Sequence, residues 1–289
     1  MVIYLIVTNC IHSIFYGYKG SFMKVFREVI NLHFKVMFQY RWTFAMTLFV
    51  QPILLFINIA LFKSIYAYND TASIKGYGFE QMVWYYTAYY VVLSFVWNGI
   101  TSDISESILS GDLAINLLRP ISVFRFLLGG AIASRLVAML VDFLPGMVIY
   151  SLILFPSFIT LKSFTSFILV AILAFFLNYL FAFLLGMSAM IITNNSSISA
   201  IKDVFIAIVG GGLIPLEFMP GWLNNIFDFL PFKYIIYWPI QFFLNRVEDN
   251  HFNTLLKVGM IQLIWIVIFF IAIKILWRSL IKKFCAAGG

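Results

Sequence analysis

Charge is what this sequence has least of. Of its 289 residues, 11% are Asp, Glu, Lys or Arg, against about 25% in an average soluble domain. An exterior that faces water needs more polar surface than that. The shortage excludes a water-soluble enzyme, a disordered chain and a nucleic-acid module. Cysteine is nearly missing: Cys10 and Cys285 stand near opposite ends, and no CxxC or Cys/His cluster occurs. That argues against a disulfide framework and against a zinc site. The chain also lacks the G-x-x-x-x-G-K-[ST] phosphate loop of an ATPase, H-E-x-x-H, G-x-S-x-G and any tight carboxylate cluster. His12, His33 and His251 are scattered over the length and read as solvated interfacial side chains, not as one metal site. No internal repeat is evident, which weighs against carriers built on inverted repeats. The expectation is a non-enzyme with no catalytic residue, no metal and no cofactor of its own.

What is present is apolar length. The chain is 63% hydrophobic and 19% aromatic, with mean hydropathy +0.98, the composition of an integral membrane protein. A helix crossing the hydrocarbon layer needs about 20 apolar residues. Six runs qualify, at 42–66, 82–100, 124–155, 164–192, 198–216 and 255–277. Long apolar runs, in place of alternating ten-residue segments, argue for a helical bundle and against a β-barrel. The expected fold is an all-α six-helix transmembrane bundle forming one domain over residues 23–283, with 1–22 read as an N-terminal extension and 284–289 as a tail of cloning origin. Net charge is +7 and pI 9.3. With the N-terminus inside, basic residues favour the cytoplasmic face by about two to one, so both termini are expected in the cytoplasm and the cysteines in a reducing compartment.

Three stretches depart from simple spans. In 22–40, apolar Phe26 and Val29 interleave with Arg27 and Lys35, the pattern of an amphipathic helix lying at the cytoplasmic interface. It serves either as a lipid anchor or as an elbow that transmits force from a soluble partner. In 216–250, Pro220, Pro231 and Pro239 interrupt an aromatic-rich segment that also follows Pro215 and carries Glu217 and Met219. Non-helical backbone at membrane depth requires protein or water around it, so two re-entrant helices on the outer side, between spans five and six, are expected. Within the third span, Arg135 and Asp142 stand seven positions apart, too far for a direct pair on one helix. They read as structurally partnered charges and not as a proton relay.

The third stretch is the connection between spans two and three. It contains Asp103, Glu106, Gly111, Leu113, Leu117, Leu118, Arg119 and Pro120. The order predicts a short helix, a bend at Gly111, then a second amphipathic element ending at Pro120. Leu113, Leu117 and Leu118 are read as one apolar face, which must either be covered by a partner or dip back onto the bundle.

This pattern, Glu106…Gly111-x-Leu113…Leu117-Leu118-x-Pro120, resembles the coupling loop of ABC-type export permeases of the six-span, ABCG-like or ABC-2 class. The Pro215…Met219-Pro220…Leu230-Pro231 run is similar to the segment after span five in the same family, and the resemblance covers 23–283. Ser107 departs from it, since many relatives carry a basic residue there. The resemblance implies a half-transporter of a prokaryotic plasma membrane, paired with a second permease, identical or paralogous. Two separate ATPase subunits would carry ATP and Mg and dock on the elbow and on Glu106–Pro120. Spans two and five would face the dimer axis, making Trp97, Asn98, Phe205, Ile208 and Val209 candidate pathway residues, with Gly210, Gly211 and Gly212 permitting close approach. The aromatic interior points to an amphipathic or hydrophobic cargo such as a lipid, drug or peptide. An ATP-independent secondary carrier or channel, and a structural scaffold, are the alternatives.

Overall fold

The computed structural model describes Arg27, Glu28, Asn31 and Lys35 and residues 41–70, 72–118, 122–191, 196–247 and 251–281. Of the expected elbow, Arg27, Glu28, Asn31 and Lys35 are helical and exposed, while Phe26 and Val29 lie outside the described residues.

Eleven helices follow among the described residues: α1 Arg41–Asn69, α2 Phe79–Val96, α3 Ile100–Leu109, α4 Asp112–Leu117, α5 Val123–Ala138, α6 Leu144–Ile153, α7 Leu161–Gly186, α8 Ser196–Val209, α9 Gly221–Asp228, α10 Tyr237–Phe243 and α11 His251–Leu280. A π-helical segment, Met139–Phe143, joins α5 to α6. Each of the six apolar runs contains helix, though the runs 82–100 and 198–216 leave it at Val96 and Val209. Among the described residues, three helices are long and apolar enough to cross a membrane: α1, α7 with its 3-10 extension to Met190, and α11. The bent pair α4–α5 makes a fourth if counted as one span. The other runs fall short for physical reasons. Helix α2 carries Glu80 and four tyrosines, Tyr85, Tyr86, Tyr89 and Tyr90, which lower its hydropathy. Helix α8 is 14 residues long, ending at a glycine triplet.

Helix α7 is the centre. Alanines and aromatics that would be lipid-facing filler in an isolated span are buried along it, including Phe167, Ala171, Ala174, Tyr179, Ala182 and Phe183. Small residues let neighbouring helices approach, and α2, α3, α10 and α11 all pack on α7. Gly186 marks the closest approach: an added Cβ there would stand 3.0 Å from Ile104 of α3. Aromatic edges fill the remaining space, as where Phe167 meets Phe95 and Phe243 at 5.2 Å each. A two-residue-per-strand antiparallel hairpin, β1 Ser73–Ile74 and β2 Tyr77–Gly78, follows α1. It has no counterpart in the sequence reading.

Candidate functional site: a coupling knuckle, an apolar stripe and a distal polar cluster

At one end of α2 the chain turns at Trp97 and Asn98 and re-enters helix as α3. The inner face of α3, Ile100, Ile104 and Ile108, is buried, and Thr101 donates to the Ala182 carbonyl of α7 at 3.1 Å. The opposite face carries Asp103 and Glu106, both exposed. Gly111 takes φ +81°, a left-handed conformation that costs glycine little and other residues much. That turn launches α4. Ser110 donates to Asp112 at 2.8 Å, and Asn116 of α4 donates to Ser107 of α3 at 3.3 Å, closing α3 and α4 into a knuckle. Helix α4 then stands at 106° to α5. A cleft of about 270 Å³ between the two arms is rimmed by Asp103, Glu106 and Asp112.

Leu113, Leu117 and Leu118 do not share one face. Leu113 is 1% exposed, Leu117 is half-buried and Leu118 is 87% exposed. Positions 113 and 117 are one helical turn apart, whereas 118 lies a further 100° round. The exposed apolar set is instead Leu109, Ile115 and Leu118. Leu109 and Ile115 fall outside the leucine spacing of 113–118, so that spacing alone does not find them. Arg119 and Pro120 lie outside the described residues.

Helix α8 is tied to this knuckle by Ser102 of α3, whose hydroxyl lies 3.1 Å from that of Ser199. Phe205 and Ile208 are exposed on α8, together with Ile201 and Val204. The spacing 201, 204, 205, 208 is i, i+3, i+4, i+7, one continuous helical stripe. Sequence periodicity would have found all four. Val209, in contrast, is 4% exposed and Asn98 is 2% exposed. They face inward, while Trp97 is 44% exposed. The five candidate pathway residues therefore do not line one surface. Lys202 is buried beside Asp203, with 3.0 Å between their charged groups.

Beyond Val209, three glycines carry the chain back over α2. Gly211 has φ +74°, and a Cβ on Gly212 would fall 2.3 Å from the Tyr89 ring. Tyr85 donates to the Gly211 carbonyl at 2.6 Å and Tyr86 to that of Leu213 at 3.1 Å. Pro215 is buried, Glu217 and Met219 are half-buried, Pro220 is exposed and Pro231 is buried.

Glu217 is the focus here. Its Oε1 accepts from Tyr237 at 2.7 Å, Tyr77 at 3.0 Å and Gln241 at 3.4 Å. Gln241 also donates to the Tyr77 hydroxyl at 2.9 Å. The Arg246 guanidinium lies 3.7 Å over the Tyr77 ring and donates to the Gly76 carbonyl at 2.7 Å. Burial pushes the Tyr77 phenol above its ordinary value, and the Glu217 carboxylate pushes it further. Of this cluster only Glu217 was singled out from sequence. Its partners come from the hairpin and from α10, as far as 140 positions away.

His251 is also not solvated. It is 7% exposed, its Nε2 lies 2.7 Å from the Ser166 hydroxyl, and its ring meets Phe242 edge-on. A single interfacial histidine lacks any local signal for such a partner. His12 and His33 lie outside the described residues, as does the side chain of Asp142. Arg135 of α5 donates to the Ser94 carbonyl at 3.4 Å and stacks on Trp97, 5.4 Å from the ring centroid.

The family model described as ABC-2 family transporter protein matches residues 24–288. The chain belongs to that family: it is the membrane-spanning permease subunit of an ABC transporter, a class that works with ABC ATPase subunits. No curated protein matches it.

Proposed function

We propose that this chain is half of the translocation path of an ATP-driven exporter in a prokaryotic plasma membrane, moving an amphipathic or hydrophobic substrate. The observation that carries the reading is the α3–α4 knuckle. It exposes Glu106 together with the apolar residues Leu109, Ile115 and Leu118, and Ser102 ties the same element to Ser199 on α8. Large apolar side chains left exposed on an element that also exposes carboxylates fit a protein partner. Two ATPase subunits holding ATP and Mg dock there and at the Arg27–Lys35 helix, and both termini lie on that cytoplasmic side. The stripe Ile201, Val204, Phe205 and Ile208 meets a second permease, identical or paralogous. Closure of the ATPases pushes the knuckle, and α8 shifts with it as a packed rigid body. Helices α9 and α10 form the re-entrant outer gate. The permease supplies no catalytic group or bound cofactor; its contribution is differential affinity for substrate in two conformations.

The test is reconstitution of the chain with its ATPase in liposomes. Nucleotide-dependent efflux is expected, and Glu106→Arg is expected to abolish ATPase docking and efflux while leaving membrane insertion intact. Uphill transport by the chain without nucleotide, driven by an ion gradient, overturns the proposal in favour of a secondary carrier.

A further inference from the structure

Arg246 follows α10, where the chain turns through Asn245 at φ +52°. Its Nη1 donates to the Gly76 carbonyl at 2.7 Å and to Gln81 at 3.0 Å. The guanidinium lies 3.7 Å over the Tyr77 ring. Glu217 meets the same side chain at its other end, accepting from the Tyr77 hydroxyl at 3.0 Å. One fully buried tyrosine thus holds an anion on its hydroxyl and a cation on its face.

Both charged groups are left incomplete by this arrangement. Glu217 Oε1 takes donors from Tyr237, Tyr77 and Gln241, yet Oε2 is shielded from solvent and takes none. Arg246 Nε is likewise shielded and donates to nothing. A buried donor or acceptor without a partner costs free energy, and a charged one costs more. These two would satisfy each other, because an arginine fork matches a carboxylate with parallel hydrogen bonds. The Tyr77 side chain, which each of them engages instead, is delivered by β2 of the hairpin. That hairpin has two residues per strand, and a lone two-stranded hairpin is marginal in stability. Moving elements are drawn from this low-stability end of a structure.

We propose that Glu217, Tyr77 and Arg246 form a two-position latch at the end of α2 opposite the knuckle. In the position of this structure, Tyr77 occupies both charges and ties the hairpin to the turn after α8 and to α10. In the other, the hairpin withdraws its ring and Glu217 closes on Arg246 as an ion pair. The α1–α2 connection is then released while no charge is stranded, which gives two discrete arrangements in place of a graded one. The latch deepens the function proposed above by giving the outer gate a second resting position. It rests on that reading for the gate, not for the ion pair.

The experiment measures spin-label distances in the full chain in nanodiscs, with Cys10 and Cys285 changed to Ser. The labels sit at Lys75→Cys on the hairpin and Asn225→Cys on α9, both exposed positions. Helix α9 is a fixed reference, since Asn224 donates to the Leu216 carbonyl beside Glu217 at 2.8 Å. The parent is expected to show one dominant short distance. Tyr77→Phe removes the hydroxyl that Glu217 holds and is expected to add a second, longer distance. Adding Arg246→Gln or Glu217→Gln to Tyr77→Phe is expected to erase the longer distance, because the ion pair is gone. A guanidinium that only ties down the hairpin predicts the reverse, a larger share of the longer distance once Arg246 is changed. The proposal is overturned if Tyr77→Phe adds no longer distance, or if that distance persists or grows in the double variants. Should one double variant fail to fold, the other decides. No ATPase or nucleotide is present, so failure here leaves ATP-driven efflux standing, and failed efflux leaves these distances unchanged.

Discussion

The Tyr237 hydroxyl donates to Glu217 at 2.7 Å, and the oxygen that receives it also holds Tyr77 of the β-hairpin. One carboxylate thereby joins three segments: the turn after α8, the hairpin after α1, and α10. Removing the acceptor strands two phenols in a largely buried setting, which costs about 1–3 kcal/mol. Glu217→Ala is therefore expected to lower the unfolding temperature of the purified chain more than Glu217→Gln, which retains an oxygen for both phenols. Equal losses in the two variants would show that the oxygen is not what holds the segments.

Alkaline pH reads the same cluster. Tyr77 has its phenol raised by burial first and by Glu217 second. Its folded state stays neutral where the unfolded chain, titrating near pH 10, releases a proton. The unfolded state then binds fewer protons than the folded one, so stability falls as pH rises. The contribution is complete below about pH 10 and is lost above it. Unfolding temperature measured from pH 8 to 11 should decline at the upper end, and Tyr77→Phe should flatten that decline. A parent and a variant with parallel curves would remove Tyr77 from the explanation.

The cluster also shows where reading the sequence stops. A run such as 164–192 is legible because apolar length is a local property, and α7 occupies it. Gly111 is legible because a left-handed turn wants glycine, and its φ is +81°. Burial of Leu113 against exposure of Leu118 required the helical phase to be followed residue by residue. The gathering of Tyr77, Tyr237 and Gln241 on Glu217 had no local signature, since hydrogen-bonding residues far apart in sequence carry no periodicity. The same holds for His251 with Ser166, 85 positions apart. In a chain so poor in charge, buried polar groups must find one another, yet nothing in the linear order says which pairs form.

The split among the leucines makes a prediction at the knuckle. Leu113 is 1% exposed and Leu118 is 87% exposed. Leu113→Ser deletes core packing and buries a hydroxyl, so it should destabilise the knuckle by about 2–4 kcal/mol. Leu118→Ser touches no core and should leave the unfolding temperature within about half a kcal/mol of the parent. If the ATPase covers this surface, Leu118→Ser and Ile115→Ser should nonetheless weaken its co-purification. Unchanged capture by both exposed variants would place the partner elsewhere.

The stripe on α8 makes the last prediction. Phe205 and Ile208 are 45% and 41% exposed, whereas Val209, adjacent in sequence, is 4% exposed. A membrane helix can present such a stripe either to lipid or to another helix, and exposure alone does not separate the two. Disulfide formation does, because it requires Cα atoms about 4.4–6.8 Å apart. With Cys10 and Cys285 changed to Ser, Phe205→Cys and Ile208→Cys should each cross-link two permease chains in native membranes, and Val209→Cys should not. Cross-links with this chain expressed alone indicate a symmetric pair, since a two-fold axis brings like residues together. Cross-links that require a co-expressed relative bearing its own cysteine indicate a mixed one. If neither exposed position reacts in either setting, the stripe faces lipid, and the Ser102–Ser199 contact remains as the tie between α8 and the knuckle.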